Sequence, residues 1–155
     1  MKRHATLIMI ILTLAVLLLP ASAFSQTTGV AGAGAGTLPA GASMTGVSLS
    51  GLNFGMGVII PGDNTADGQF QAMLLGTTLL GLAQNIQVQG EVDSGTLGTG
   101  SRTFSGLATV DMGDGTPLLT NVPFTVTATA TSVALLIGAT NLPAATLTAG
   151  SIIIQ

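Results

Sequence analysis

The chain has 155 residues, of which three are Lys or Arg, six are Asp or Glu and one is His, and it lacks Cys, Trp and Tyr. Because the His and two of the three basic residues lie within the first four positions, residues 24–155 carry one arginine against six carboxylates, a net charge of −5. Nucleic-acid binding relies on clusters of Lys and Arg, whereas zinc sites and Ser-His or Cys-His catalysis need His or Cys. We therefore expect no nucleic-acid partner, and carboxylate chemistry is the only enzymatic option.

The N-terminus has the pattern of a secretory signal. A basic head, residues 2–4, precedes an apolar run over residues 5–19, and the segment ends on Ala21-Ser22-Ala23. Small residues at the first and third positions of that triplet suit a signal peptidase, and the run is shorter than the roughly 20 residues that span a bilayer. The sequence predicts a signal peptide over residues 1–23 and a protein that is secreted, with the exterior, the cell surface and the periplasm all open. We expect no stable membrane insertion after cleavage.

Small residues dominate the segment that follows, with Gly-Val-Ala-Gly-Ala-Gly-Ala-Gly at residues 29–36. Such a segment buries too little side chain to offset the entropy lost on ordering. Residues 24–43 are therefore predicted to be a flexible Gly/Ala-rich leader, and residues 44–155 a single β domain.

Short apolar alternations, separated by Gly, Asn, Asp and Pro, follow residue 43. Their period of two predicts half-buried strands, most clearly over residues 85–92, 102–111 and 122–131. Further candidate strands cover residues 45–49, 56–60, 132–137, 144–147 and 151–155. About 7 to 10 short strands predict an all-β fold, an antiparallel β-sandwich or barrel. Four aromatic residues spread along the domain are the predicted core anchors: Phe54, Phe70, Phe104 and Phe124.

Two interpretations are open for residues 67–84. Phe70, Met73 and Leu74 have helical spacing, but Gly76 and Gly81 would each cost about 1 kcal/mol inside a helix. A strand pair is the favoured interpretation.

One carboxylate lies in a pattern with catalytic precedent. Val92-Asp93-Ser94-Gly95-Thr96 resembles the active-site turn of aspartic proteases, and Leu135-Leu136-Ile137-Gly138 is similar to their downstream hydrophobic-hydrophobic-Gly element. The resemblance implies a dimeric all-β enzyme in which two copies of Asp93 share a proton across a water nucleophile. The alternative is a tight turn in which Asp93 caps its own backbone.

A second acidic motif, Asp111-Met112-Gly113-Asp114-Gly115-Thr116, resembles a turn of polycystic-kidney-disease-type modules, and the resemblance implies a β-sandwich. Asp111 and Asp114, spaced by three in a Gly-rich segment, are candidate calcium ligands, as are Asp63 and Asp67 in a similar loop. Turn chemistry explains both segments without a metal. We therefore expect no cofactor.

Threonines alternate along another predicted strand. If Thr125, Thr127, Thr129 and Thr131 share one face, their hydroxyls lie about 6.5 to 7 Å apart. Ice-binding proteins present regular hydroxyl arrays of this kind, although threonine is also a favourable residue for the solvent face of any strand.

These observations favour a secreted or cell-surface, non-enzymatic domain with a structural or adhesive function. The alternative is a self-assembling extracellular fibre subunit, which uses strand donation from the N-terminal segment or edge pairing by Ser151-Ile152-Ile153-Ile154-Gln155. A more remote alternative is the dimeric aspartic protease that uses Asp93. The expected partners are other copies of the chain, in a homo-oligomer or fibre, or other components of the cell envelope.

Overall fold

The computed structural model describes residues 28–62 and 64–155. The regular elements within these ranges are nine strands: β1 (Gly29–Thr37), β2 (Ser43–Met44), β3 (Val47–Ile59), β4 (Thr65–Thr77), β5 (Ile86–Gly98), β6 (Ser101–Asp111), β7 (Leu119–Thr129), β8 (Ser132–Ile137) and β9 (Thr140–Ile154). No helix capable of spanning a membrane occurs in this part of the chain.

The strands form an antiparallel, eight-stranded closed barrel. Each strand from β3 to β8 pairs with the next one along the chain, and β1 pairs with both β3 and β9, which closes the sheet. The short strand β2 lies outside this ring and pairs only with β3. The all-β prediction is thus confirmed as a barrel, and the sandwich implied by the acidic motif at residues 111–116 is wrong.

The barrel interior is filled by apolar side chains. Alternation along the strands points one face inward, and no polar side chain is buried among the described residues. Phe70 lies at the centre, with its ring centroid 6.0 Å from that of Phe104 and 5.8 Å from that of Phe124. Gly90 makes room for the Phe124 ring, because a Cβ at this position would lie 2.4 Å from it. The prediction that the four Phe residues anchor the core is confirmed.

Strand β1 lies within the segment predicted to be a flexible leader, and this prediction is wrong for residues 29–37. Backbone pairing on both edges holds the segment, with β3 on one side and β9 on the other. Its small residues suit this position, since a Cβ at Gly34 would lie 2.2 Å from the Ala149 carbonyl oxygen. Close backbone packing thus replaces the side-chain burial that the sequence lacks. The predicted signal peptide and residues 24–27 lie outside the described residues.

The ambiguous stretch at residues 67–84 divides into a strand and a loop. Residues 67–77 belong to β4, in which Phe70, Ala72 and Leu74 are buried and their neighbours face outward. The strand interpretation is thus confirmed for residues 67–77, but the second strand of the predicted pair is wrong, because residues 78–85 form the connection to β5.

Because all the strands alternate in direction, the connections gather at two ends of the barrel. The terminal end carries Thr28, Gln155 and the connections β3–β4, β5–β6 and β7–β8. The opposite end carries β2 and the connections β4–β5, β6–β7 and β8–β9.

A single arginine ties the terminal end together. Arg102 lies on the inward face of β6, and its Nε donates to the Gln155 carbonyl oxygen at 3.1 Å, a bond that Nη2 duplicates. Its Nη1 donates to the carbonyl oxygens of Gly98 at 2.9 Å and Ser101 at 2.8 Å. The guanidinium therefore links the β5–β6 hairpin to the last residue of the chain.

Candidate functional site

Asp93, the candidate catalytic residue, lies on the outer wall of the barrel. The structure places it within β5, at a register shift between Val92 and Ser94 on the edge shared with β6, so the tight turn expected around it is wrong. Its side chain is exposed and accepts a hydrogen bond from the Ser94 hydroxyl at 2.8 Å. Asp93 is the extra residue of a β-bulge, which aims its carboxylate away from the core.

Asp111 and Asp114 each cap their own turn. The Gly113 N–H donates to Asp111 Oδ1 at 2.9 Å. Asp114 Oδ1 accepts from the Thr116 hydroxyl at 2.6 Å and from the Thr116 N–H at 2.9 Å. The Thr116 hydroxyl, followed by its N–H, lowers the pKa of Asp114 from its ordinary value of 3.8. This carboxylate is therefore ionised at neutral pH.

The other candidate calcium ligands are not brought to this turn. Asp67 is an exposed residue of β4, opposite Ile59 of β3 and near the terminal end, whereas Asp111 and Asp114 lie at the opposite end. Asp63 lies outside the described residues. Among the residues that the structure describes, no group of three or more His, Cys, Asp or Glu side chains is arranged to hold a metal ion.

Hydroxyl groups cover part of the outer wall, over β5, β6 and β7. Strand pairing places Ser94 opposite Ser105, which lies opposite Thr125. A parallel row joins Thr103 to Thr127, whose hydroxyl oxygens lie 3.0 Å apart. The predicted threonine face of β7 is thus one column of a larger array, although β7 ends at Thr129, before Thr131.

A polar groove of about 650 Å³ lies beside this array. Pairing places Gln69 opposite Glu91 and Gln71 opposite Gln89 along β4 and β5. Asn121, with a φ of 56°, forms part of the opposite wall, where β7 shifts its register against β6. Four amide side chains, those of Gln69, Gln71, Gln89 and Asn121, thus line this depression, together with Glu91 and two threonines.

The most exposed leucines of the described residues lie in the β4–β5 connection. Leu79 is 91% exposed, Leu80 87% and Leu82 65%. A turn presents them: the Gly81 N–H donates to the Thr78 carbonyl at 2.9 Å, and the Thr78 N–H donates to the Leu82 carbonyl at 2.8 Å. The Leu82 N–H donates to the Thr78 hydroxyl at 3.2 Å. The turn thus projects its leucines while using much of its own backbone hydrogen-bonding capacity.

Two further leucines, Leu118 and Leu119, are exposed where the β6–β7 connection enters β7. A cleft of about 530 Å³ lies between the two connections. Its lining combines apolar residues with the polar residues Thr45, Thr78, Gln84 and Asp114; the apolar ones include Leu79, Leu80, Leu119, Val47 and Met112. We call the surface formed by these five leucines the leucine end: Leu79, Leu80, Leu82, Leu118 and Leu119. Isolated exposed leucines are ordinary, whereas a large contiguous apolar patch is typical of interaction surfaces.

Sequence patterns did not identify the leucine end as a surface. Leu79 and Leu80 belong to an apolar stretch, which typically indicates core, and their exposure follows from the turn that Thr78 and Gly81 close. Gly81, with a φ of 80°, was the available signal, because glycine in this conformation is typical of turns.

Comparison with known proteins gives no match to a family model, to a curated protein or to a solved structure.

Proposed function

We propose that the protein is a secreted or cell-surface, non-enzymatic domain with a structural or adhesive function, and that the leucine end is its contact surface. The observation that carries the proposal is the exposure of Leu79 and Leu80 at one end of an otherwise well-packed barrel. Because these two side chains stay exposed to water in the folded chain, they contribute little to its stability. Their burial against a partner would be favourable.

The rest of the barrel supports a contact function over a ligand-carrying one. Three packed phenyl rings occupy its centre, where barrels that carry small ligands keep a cavity. The outer wall offers hydroxyl and amide groups with few charges, which suits hydrogen bonding to an extended surface.

Binding to washed envelopes of the producing cell tests the proposal. Purified chain 24–155 is expected to remain with the envelopes after washing, and the double variant Leu79→Ser/Leu80→Ser to be released. Both side chains are exposed, so the variant should keep the wild-type melting temperature. Wild-type protein that washes off completely would contradict the adhesive function, and equal retention of the variant would assign adhesion to another surface.

A second candidate function, self-assembly into a fibre, is supported by the open edge of β9. Residues 148–154 pair with β1 but extend past the last residue pair with β8, Ser132 and Thr146. Ile152 is buried, whereas Ile153 is 56% exposed. An open edge of this kind is a template for another strand.

A further inference from the structure

A surface separate from the leucine end lies on the outer wall, where amide side chains stand in rows across the strands. Strand pairing places Gln71 opposite Gln89, and Gln69 opposite Glu91, which in turn lies opposite Leu107 of β6. A third row runs along β3, β4 and β5. We call the surface formed by five exposed amides of these rows the amide face: Asn53, Gln69, Gln71, Gln87 and Gln89.

The amides of this face have hydrogen-bonding capacity that the fold leaves unused. Within the described part of the chain, none of the five side chains has a hydrogen-bond partner. By contrast, hydroxyls of the neighbouring array bond to one another, as Thr103 does to Thr127 and Ser94 to Ser105. Each primary amide can donate two hydrogen bonds and accept two. The amide face therefore offers both donors and acceptors to a ligand.

Depressions join these amides into one continuous surface. Gln71 lines the polar groove of about 650 Å³ and also two neighbouring depressions over β3, of which one reaches Asn53 and the other Gly57. A Cβ at Gly55 or Gly57 would meet nothing within 4 Å, so the space above this part of β3 is open. Because adjacent strands lie about 4.8 Å apart, the surface from β3 to β6 extends about 14 Å across the sheet. That length suits a chain molecule that crosses the strands.

Charge limits the class of ligand. Among the described residues, Glu91 is the only charged one that lines these depressions. Arg102, the only Lys or Arg within residues 28–155, lies at the terminal end. A polyanion would therefore meet like charge without a compensating cation. Since an ionised carboxylate only accepts hydrogen bonds, the ligand has to bring donors to Glu91 and both donors and acceptors to the amides.

Hydroxyl groups meet these requirements, because each one both donates and accepts. Leu107, which is 50% exposed and lies opposite Glu91, adds an apolar contact for the C–H face of a sugar ring. An extended peptide would instead add to a sheet edge, where its backbone continues the ladder, whereas the amide face is the face of a sheet.

We infer that the amide face binds a neutral polysaccharide. Gln71 and Gln89 bond to its hydroxyls near the centre of the face. Glu91 accepts from further hydroxyls, and Leu107 packs against a sugar ring. This site goes beyond the proposed function, because it lies on the wall of the barrel and does not use the leucine end.

Affinity electrophoresis tests the inference, because chain 24–155 is acidic and migrates in native gels. The gels contain dextran, laminarin, galactomannan or, as a polyanion, alginate, and a non-binding protein serves as the mobility reference. We expect at least one of the three neutral polysaccharides to slow the wild type, and alginate to have no effect. Gln71→Ala/Gln89→Ala should lower the affinity at least about fivefold, because it removes two hydrogen-bonding groups.

Two control variants isolate the site. Asn141→Ala/Gln155→Ala removes two exposed amides outside the amide face and should change the affinity less than about twofold. Leu79→Ser/Leu80→Ser should bind like the wild type, which separates this site from the leucine end. The side chains changed in all three variants are exposed, so each variant should keep the wild-type melting temperature.

Three results in the gels overturn the inference. They are the absence of retardation by every neutral polysaccharide, an equal loss of affinity in the two amide double variants, and stronger retardation by alginate than by the neutral gels. Wild-type dimers in size-exclusion chromatography that Gln71→Ala/Gln89→Ala abolishes would assign the face to a second copy and also overturn it. Failure of the envelope assay would contradict the proposed function alone, because the gels contain no envelope.

Discussion

At the scale of single residues, Gly90 shows how closely the core is packed. A Cβ at this position would lie 2.4 Å from the Phe124 ring, which is itself stacked on Phe70. Gly90→Ala is expected to lower the free energy of unfolding by about 1 to 3 kcal/mol, because the added methyl group overfills the core. Gly57→Ala is the matched control, since a Cβ there meets nothing within 4 Å, and it should change stability by less than about 0.5 kcal/mol. Urea unfolding followed by circular dichroism compares them, and equal destabilisation would contradict the packing argument.

Asp114 gives a prediction about pH. Its pKa is lowered in the folded chain, so the stability that this turn contributes is present above the unfolded pKa and is lost as the pH falls through the folded one. Thr116→Val removes the hydroxyl donor and should raise the pKa of Asp114 towards its ordinary value. Carboxyl-carbon NMR titration measures the change, with Thr120→Val as a control. An unchanged titration midpoint in Thr116→Val would assign the lowered pKa to another cause.

Residue patterns predicted the core better than the surface. Burial of Phe70, Phe104 and Phe124 follows from alternation alone, because the inward face of a strand repeats every second residue. The position of Asp93 in a β-bulge could not be predicted from alternation, because a β-bulge depends on the register of the neighbouring strand. Exposure of Leu79 likewise depends on turn hydrogen bonds that hydropathy does not represent.

At the scale of elements, β1 is the strand whose loss opens the barrel. Gly34→Ala would place a Cβ 2.2 Å from the Ala149 carbonyl oxygen and should disrupt pairing between β1 and β9. Amide hydrogen exchange is expected to become faster for Ile152 and Ile154 than for Val88, which lies far from β1 in β5. The exposed Ala33→Val change serves as a control. Uniformly faster exchange across all strands would instead indicate global destabilisation.

Strand positions were predictable, but strand lengths were not. The predicted strands at residues 45–49 and 56–60 both overlap one strand, β3, and those at 144–147 and 151–155 both overlap β9. The sequence pattern predicts breaks at the intervening glycines. In the barrel, Gly51 lies instead at a register shift, and Gly150, with a φ of 90°, allows β9 to approach β1. Glycine thus bends these strands without ending them.

At the scale of the whole molecule, closure decides which edges remain open. Pairing of β1 with both β3 and β9 could not be predicted, because a Gly/Ala segment offers no hydrophobic pattern from which to infer its neighbours. One alternative from the sequence is a free edge at the C-terminal residues; in the barrel, β1 covers one side of β9, and residues 148–154 extend beyond β8 on the other side.

Self-assembly through this edge predicts a selective effect of charge. If fibres form by strand pairing at β9, Ile153→Lys should keep the chain monomeric without unfolding it, because an edge lysine opposes pairing. Ala31→Lys, on the neighbouring and fully paired strand β1, should leave assembly intact. Size-exclusion chromatography with negative-stain electron microscopy separates the cases. A wild-type chain that stays monomeric at high concentration would contradict the fibre function.

The position of Arg102 also determines how readily trypsin cleaves the folded barrel. Trypsin cleaves after Lys and Arg, and within residues 28–155 it has one such site, after Arg102. That peptide bond lies in β6, paired with Leu97 on one side and Ala128 on the other, while the guanidinium is bonded to three carbonyl oxygens. Cleavage therefore requires β6 to separate from its neighbouring strands. The rate of tryptic cleavage, followed by gel electrophoresis as one band is replaced by two, thus reports how often the barrel opens.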